Sequence, residues 1–374
     1  EVPPAAAAGS RPGPFPRTGR PHERIPTPRQ GGMEVPATMR GAVGEAYGPP
    51  EECVRVVDLP VPALSRPDDV LVKVAASSVN KGDWHLASGI PGAVRLAFGF
   101  SRPPTSPLGS DLSGVVVAVG QGVKELRVGD EVFGMIPTAL GGFAEYAVVK
   151  EAALAPKPPE TTHEAAAAAA SAGITALQAI REHGKPLTPD SRVCVIGASG
   201  GCGSLAVQLC KAQAGGEVHV TAVCSGASAD HARAQGADDV VDYTAGGGLG
   251  TGGYDLVLDF VGTRPVQECL EACKEKGTYV AVSGPMDNYW LGPFPRGFYL
   301  LFMSMLSTRK ISWFFQEPNE AGIVQQLRQH LADGVLAPPL GERFSLDDVP
   351  RAIALQGRGH VRGKNVVIIA AEDK

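Results

Sequence analysis

Closely spaced glycines after a run of small and β-branched residues are the clearest chemical signal in the chain. They are Gly197, Gly200, Gly201 and Gly203, within "VCVIGASGGCGSLAVQLCK", residues 193–211. Such glycines allow a tight strand-to-helix turn and bring backbone N–H groups and the helix N-terminus against a pyrophosphate. Glycine-rich turns also occur for packing reasons, but the complete βαβ unit here favours a dinucleotide.

The end of the following strand, "TAVCSGAS", indicates which dinucleotide fits. An NAD site usually has Asp or Glu about 20 residues after the glycines, where it binds the ribose 2′-hydroxyl. Here Cys224 and Ser225 end the strand, and the next carboxylate is Asp230, inside the next helix. A carboxylate would repel a 2′-phosphate, whereas a hydroxyl and free N–H groups accept one. The sequence therefore predicts NADPH, and Ser225 also fits as a helix cap.

The elements around this loop predict an α/β protein of two domains. The chain of 374 residues is too long for one ordinary core. Residues 33–160 have short strands separated by turn signals, as in a barrel-like or sandwich unit. Strands and helices alternate over 161–307, which predicts a doubly wound parallel sheet. The closing strands of 308–374 lack that character, so we expect them to rejoin the first domain.

Composition excludes several function classes. The net charge is −5, and no Lys/Arg stripe is interleaved with aromatics, which argues against nucleic-acid binding. Hydrophobic residues make up 44% and charged ones 20%, as is ordinary for a soluble globular protein. The seven cysteines form no CxxC pair, which favours reduced thiols in an intracellular compartment.

Two segments bear on location and partners. Residues 1–32 are rich in Pro, Gly, Ala and Arg, and we expect them to be disordered. They fit a remnant of a plastid or mitochondrial targeting extension, a linker or an expression scar; otherwise the protein is expected in the cytoplasm. The ten-residue run at 297–306, "GFYLLFMSML", is too short to span a bilayer. Such a run is more typical of a buried or subunit-interface segment than of a membrane-surface patch. We expect the protein to be a monomer or a homodimer.

Motifs between Met39 and Ala370 resemble those of the medium-chain dehydrogenase/reductase superfamily and occur in the same order. They include "ASSVNKGDW", "LGSDLSGVVVAVGQGV", "VGDEVFG", "GGFAEYAVV", "AGITALQAI", "GASGGCG" and "LDFVG". The resemblance implies a GroES-like catalytic domain split around an inserted Rossmann domain, with the active site in the cleft between them.

The zinc-dependent alcohol dehydrogenases of that superfamily have a "GHE" motif, a catalytic Cys and a lobe with four cysteines. This chain has Ser110 and Asp111 in the "GHE" slot, Asn80 in the region of the Cys, and no cysteine lobe. Zinc needs three or four N, S or O ligands at one point, which the sequence does not supply. The chain therefore resembles the zinc-free quinone oxidoreductases, which implies NADPH-dependent reduction of a quinone or an α,β-unsaturated carbonyl.

The resemblance also assigns cofactor-binding residues. Ser225 and Tyr243 match positions that hold the adenosine 2′-phosphate and ribose, and Thr175 matches one beside the nicotinamide ribose. Many relatives have a Lys close to the place of Ser228, and its absence weighs against NADPH. The full set is Thr175, Ser199, Gly200, Gly201, Cys202, Gly203, Ser225, Tyr243 and, in the closing "GHVRGK" segment, His360, Val361 and Arg362.

Hydride transfer leaves negative charge on the acceptor oxygen, which a hydrogen-bond donor must stabilise. We expect Asn80 to be that donor, although an Asn there also fits a turn or cap. His85 and Tyr47 are candidates for proton delivery, and they fit equally a surface histidine and a packing tyrosine. Two other functions stay open: an NADPH-binding sensor or crystallin-like protein with little turnover, and a membrane-associated partner subunit acting through residues 290–315.

Overall fold

The computed structural model describes residues 35–104, 106–136, 141–282, 284, 288–316 and 322–370, so the segment 1–32 lies outside it. The strands within these residues are β1 (Thr38–Gly44), β2 (Val54–Pro60), β3 (Asp69–Ser78), β4 (Asp111–Val119), β5 (Glu131–Met135), β6 (Tyr146–Lys150), β7 (Leu154–Pro156), β8 (Arg192–Ile196), β9 (His219–Cys224), β10 (Asp239–Asp242), β11 (Tyr254–Asp259), β12 (Cys273–Ala281), β13 (Lys310–Trp313), β14 (Leu340–Ser345) and β15 (Lys364–Ile368). The α-helices are α1 (Pro50–Cys53), α2 (Lys81–Ser88), α3 (Ala93–Phe98), α4 (His163–Arg181), α5 (Gly201–Lys211), α6 (Ala229–Ala234), α7 (Val266–Ala272), α8 (Phe294–Leu306), α9 (Ile323–Ala332) and α10 (Val349–Arg358).

A six-stranded, all-parallel sheet forms the nucleotide-binding half. Its order is β10-β9-β8-β11-β12-β13, which is the doubly wound Rossmann order. The strand order reverses between β8 and β11, so a crevice opens beyond their carboxyl ends, where such sheets bind ligands. The edge strand β13 lies beyond residue 307, where the sequence predicts the end of this domain. A strand of only four residues is too short to give a clear sequence pattern, so the predicted boundary comes before it.

A seven-stranded sheet forms the catalytic half. Its path is β14-β15-β3-β4-β5-β7, with β6 paired to β3. The closing strand β15 pairs antiparallel with β3, Val367 opposite Ser77, so the last strand of the chain joins the sheet that β3 to β7 form. The predicted fold class, a GroES-like domain split around a Rossmann domain, is confirmed.

Helix α4 lies between the two halves. Thr162 caps it by accepting a hydrogen bond from the Ala165 N–H at 3.2 Å. Its run of fully buried alanines, with Gly173 packed against Leu327, lets it approach β3, β4 and β5 on one side and α5 and α9 on the other. Small side chains thus bring the catalytic sheet and the nucleotide-binding loop close together.

Helix α8, which contains the apolar run at 297–306, presents much of that run to solvent. Gly297 and Leu300 are buried, whereas the stripe formed by Phe298, Leu301, Phe302, Met305 and Leu306 is exposed. Among the described residues, no helix is both long and apolar enough to cross a membrane.

Candidate active site

The glycine loop between β8 and α5 has the geometry of a phosphate cradle. Gly197 adopts a φ of +83°, which favours glycine, and a side chain at Gly203 would overlap the Gly197 carbonyl. The first helical N–H to bond a loop carbonyl is that of Ser204, to Gly200 at 2.8 Å. The N–H groups before it are therefore available at the helix N-terminus, which fits a dinucleotide pyrophosphate.

The closing segment of the chain lies directly against this loop. The Gly363 N–H donates to the Ser199 carbonyl at 2.9 Å, and Gly200 and Gly363 form a parallel bridge. His360, with a φ of +61°, and Val361 come just before this contact in the chain, and their binding to the cofactor stays a prediction. The predicted pyrophosphate loop and the predicted closing segment, which are far apart in sequence, thus contact each other in the fold.

Arg362 extends from this segment to the end of β9. Its Nε donates to the Ser228 Oγ at 3.1 Å, and the Ser225 hydroxyl donates to the same oxygen at 3.3 Å. A guanidinium therefore lies beside the Ser225 and Ser228 hydroxyls. Tyr243 follows β10, whose last residue pairs with Cys224, and is exposed beside this position.

A carboxylate outside the predicted set of cofactor residues also lies here. Asp242 ends β10, and a side chain at Gly226 would overlap its carboxyl group. The Thr244 hydroxyl and backbone N–H donate to Asp242 Oδ1 at 2.6 and 2.9 Å and lower the pKa of that carboxyl. The pairing of β10 with β9 brings Asp242 opposite Cys224 and hence next to Ser225. This pairing would have to be predicted before Asp242 could be assigned to the site.

Thr175 and Cys202 link α4 to the loop. Thr175 is buried, and its Oγ1 donates to the Ser171 carbonyl one turn earlier at 2.8 Å. Burial is the main cause that raises the pKa of the Cys202 thiol, which a hydrogen bond to Thr175 partly offsets. The predicted residue beside the nicotinamide ribose thus contacts the predicted pyrophosphate loop.

A polar group, here called the Asp111 cluster, adjoins the loop and consists of the buried Ser78, Asp111 and Lys364 and the partly buried Asn80 and Ser110. Asp111 Oδ2 accepts hydrogen bonds from Ser78 Oγ at 2.5 Å and from Asn80 Nδ2 at 2.8 Å. Lys364 Nζ lies 3.6 Å from the same oxygen. A side chain at Gly201 would overlap Lys364, so the cluster touches the dinucleotide loop.

Asn80 is the N-cap residue of α2, and its side chain belongs to the Asp111 cluster. Its Nδ2 faces Asp111, Ser110 Oγ at 3.2 Å and the Ser78 carbonyl at 3.4 Å, and its Oδ1 accepts from Lys364 Nζ at 2.5 Å. Both amide hydrogens therefore already have protein acceptors. The prediction that Asn80 donates directly to the acceptor oxygen stays a prediction.

His85 and Tyr47 lie towards the other end of α2. The His85 Nδ1 is 2.5 Å from the Ile90 carbonyl, to which it donates, and burial lowers the pKa of His85 to about 4. Tyr47 packs beside Gly89, about 13 Å of helix rise from Asn80, and donates its hydroxyl to the Gly99 carbonyl at 2.7 Å. The structure does not bring either residue into the Asp111 cluster.

Asp83 adds a buried carboxyl next to the cluster. Its Oδ2 accepts the Asn80 backbone N–H at 2.7 Å, while its Oδ1 has no partner within the described part of the chain. Burial, opposed by that N–H, raises the pKa of Asp83 to about 7. Sequence reasoning missed both this carboxyl and Lys364, which contacts Asn80 across 284 residues of sequence.

Comparisons with known proteins agree with this geometry. The family described as "Alcohol dehydrogenase GroES-like domain" matches residues 66–159, and the one described as "Zinc-binding dehydrogenase" matches 235–367. The human "NAD(P)H oxidoreductase RTN4IP1, mitochondrial" is 32% identical over 354 residues, covering 86% of this chain and 87% of that protein. "Quinone-oxidoreductase QR1, chloroplastic" of Triphysaria versicolor is 30% identical over 344 residues, 88% of this chain and 98% of that protein.

The structure of the quinone oxidoreductase from Coxiella burnetii superposes with a TM-score of 0.74 at 25% identity, covering 89% of this chain and all (100%) of that one. The chain belongs to the quinone oxidoreductase branch of the medium-chain dehydrogenase/reductase superfamily. The resemblance seen in its motifs is confirmed. As a member of this branch, it is an oxidoreductase that uses a nicotinamide cofactor.

One family description names zinc, which relatives with a "GHE" motif bind at that slot. Over the described ranges, no three His, Cys, Asp or Glu side chains lie close enough to hold a metal ion. At the slot itself, the Lys364 ammonium lies beside the single carboxylate, Asp111. A resident ammonium opposes a divalent cation at the same carboxylate, so these residues do not fit zinc, and no step below uses it.

Proposed function

We propose that this protein is an NADPH-dependent reductase that transfers hydride to a quinone or an α,β-unsaturated carbonyl without zinc. The observation that carries the proposal is the contact between the dinucleotide loop and the Asp111 cluster, through Lys364 and Gly201. It puts hydrogen-bonding groups, rather than a set of metal ligands, next to the place where the cofactor fits.

Bound NADPH would supply the hydride, and with one proton from water the acceptor gains two electrons while the cofactor becomes NADP⁺. The chain's own residues then have one task, which is to stabilise charge on the acceptor oxygen. A quinone or enone suits hydrogen-bond donors, because conjugation spreads the charge. An unconjugated carbonyl suits such a site less well.

The preference for NADPH over NADH is supported by Arg362, Ser225 and Ser228. The Arg362 guanidinium and the Ser225 hydroxyl each bond the Ser228 hydroxyl, at 3.1 and 3.3 Å, so the three side chains form a set of donors for a phosphate. Asp242 opposes this preference through its charge, but it is satisfied by Thr244. We expect Ser225→Asp to reverse the preference, because it adds a second carboxylate facing the 2′-phosphate.

An apolar rim at the junction of the two halves supports a lipophilic acceptor. The Gly92 N–H donates to the Tyr289 carbonyl at 2.7 Å and the Ala93 N–H to the Trp290 carbonyl at 3.0 Å, so the segment around 289–290 docks on the start of α3. The two docked segments carry exposed apolar side chains, namely Leu96, Phe98, Phe100, Tyr289 and Trp290. Exposed apolar patches mark binding sites, which supports an apolar acceptor at this junction.

The test is turnover of menadione and cyclohexenone with NADPH and with NADH, before and after treatment with a zinc chelator. We expect NADPH-dependent reduction of at least one acceptor that the chelator leaves unchanged. NADPH binding without turnover of either acceptor would instead favour a sensor or crystallin-like protein. Activity that disappears when a stoichiometric zinc ion is removed would overturn the zinc-free mechanism.

We also propose an organellar location. It is supported by the arginine-rich composition of residues 1–32 and by relatives whose names place them in mitochondria or chloroplasts. Fluorescence of the tagged full chain should coincide with an organelle marker, and deletion of residues 1–32 should disperse it. Identical cytoplasmic fluorescence from both forms would contradict the proposal.

A further inference from the structure

Ser110 has a hydroxyl that the fold leaves ready to donate. Its backbone carbonyl accepts from the Ile136 N–H at 2.7 Å, which fixes the main chain. Its Oγ accepts from Asn80 Nδ2 at 3.2 Å. Among the residues with described positions, the hydroxyl hydrogen has no acceptor, and the side chain is partly exposed. It is the member of the Asp111 cluster that combines a free donor with access from outside.

The orientation of the Asn80 amide is fixed from its other end. Lys364 Nζ can only donate, so the atom of Asn80 that it contacts at 2.5 Å must be the carbonyl oxygen. The NH₂ group therefore faces Asp111 and Ser110. Because that group donates to Ser110 Oγ, the Ser110 hydrogen must point away from Asn80.

The Lys364 ammonium has no direct route to an acceptor molecule. Its side chain is 5% exposed, and its hydrogens face the Val79 carbonyl at 3.1 Å, Asn80 Oδ1 and Asp111 Oδ2. The charge of Asp111 is shared among other donors, including the Ser171 N–H at 3.0 Å. Lys364 therefore acts on the site through Asn80.

We propose that Ser110 is the catalytic hydrogen-bond donor to the acceptor oxygen and that Lys364 and Asn80 are positioning residues that polarise it. The hydrogen bonds run in one direction, from the Lys364 ammonium to Asn80 Oδ1, from Asn80 Nδ2 to Ser110 Oγ, and from the Ser110 hydroxyl to the acceptor. Each bond in such a chain strengthens the next. The inference rests on the proposed reductase function, and it assigns the direct donor role to Ser110 instead of Asn80.

The first test compares Ser110→Ala with the parent enzyme, using menadione and cyclohexenone. Loss of one preorganised donor should lower kcat by about a hundredfold. NADPH affinity should stay unchanged, because Ser110 contacts none of the predicted cofactor residues. Ser110→Thr, which keeps the hydroxyl, should restore most of the activity, and NADPH deuterated at the transferred position should give a larger isotope effect with Ser110→Ala.

The matched control is Ser113→Ala, three positions along the same segment. The Ser113 hydroxyl is buried and bonds the Val132 carbonyl at 3.0 Å and His163 Nδ1 at 2.7 Å, away from the Asp111 cluster. We expect this variant to lower the melting temperature and to keep the parent kcat. It therefore separates a general loss of packing from loss of the donor.

The second test asks whether Lys364 acts through Ser110. Lys364→Met combined with Asp111→Asn removes both charges together, so neither is left buried alone. In that background, Ser110→Ala should lower kcat by about tenfold or less, because the hydroxyl is no longer polarised. If Ser110→Ala still lowered kcat a hundredfold in this background, Lys364 would have no part in polarising the Ser110 hydroxyl.

The outcomes separate this inference from the proposed function. A parent enzyme that reduces neither acceptor contradicts the proposed function itself. A parent that reduces one of them, together with a folded Ser110→Ala variant of unchanged kcat, overturns the role of Ser110 and leaves the reductase function intact.

Discussion

The buried carboxyl of Asp83 offers a quantitative test of the electrostatics around the Asp111 cluster. Asp83 is 1% exposed, and its pKa is raised to about 7 by burial, against about 3.9 for an unfolded chain. Between pH 4 and pH 7 the folded protein therefore holds a proton that the unfolded chain has lost. Stability contributed by this group is present at low pH and falls as the pH rises through that window.

The magnitude follows from the two pKa values. At about 1.4 kcal/mol per pH unit, the difference amounts to about 4 kcal/mol of unfolding free energy between pH 4 and pH 8. Asp83→Asn removes the titration while keeping an oxygen for the Asn80 N–H. We expect the stability of the variant relative to the parent to rise by that order of magnitude from pH 4 to pH 8 in urea unfolding.

A second capping carboxyl supplies the control. Asp348 accepts from the Ser345 hydroxyl at 2.7 Å but is exposed, and that hydrogen bond lowers its pKa. Asp348→Asn should therefore change stability in the opposite direction and by less, since exposed charges are screened by solvent. A difference between Asp83→Asn and the parent that does not vary with pH would refute the assignment of a raised pKa to Asp83.

Three further changes test other parts of the site. Arg362→Gln should raise the Kd for NADPH, measured by calorimetry, roughly tenfold to a hundredfold, because a charge-assisted hydrogen bond is lost. The Kd for NADH should stay unchanged. The control is Arg358→Gln, which breaks an exposed ion pair with Glu51. His85→Gln should leave the pH dependence of kcat between pH 5 and 8 unchanged, since His85 is neutral there; an inflection near pH 6.5 in the parent that the variant lacks would contradict this. Gly203→Ala should abolish NADPH binding measured by fluorescence, because its methyl group overlaps the Gly197 carbonyl, and tight binding would show that the loop is not the cradle.

The dinucleotide loop and the split fold could be predicted from the sequence because both depend on patterns of residues that are close together in the chain. A strand, a glycine turn and a helix are adjacent in the chain, and alternating strands and helices determine the parallel sheet. The short edge strand β13 carries little pattern of its own. Its assignment to the nucleotide-binding sheet depends on pairing with β12.

The polar cluster could not be predicted in the same way, because its members come from distant parts of the chain. Asn80 was found through a motif, but its partner Lys364 is 284 residues away, and only the antiparallel pairing of β15 with β3 brings them together. The low pKa of His85 could not be predicted either, since its main cause is burial in the folded protein.

The proposed reaction is direct hydride transfer from NADPH to a conjugated carbonyl without zinc. The most direct measurement uses NADPH deuterated at the transferred position, with cyclohexenone and chelator-treated protein, and locates the label in the product. We expect a product with one deuterium at the β-carbon, formed at the same rate as before chelation. Product without deuterium at that carbon, or turnover that returns only when zinc is added, would contradict it.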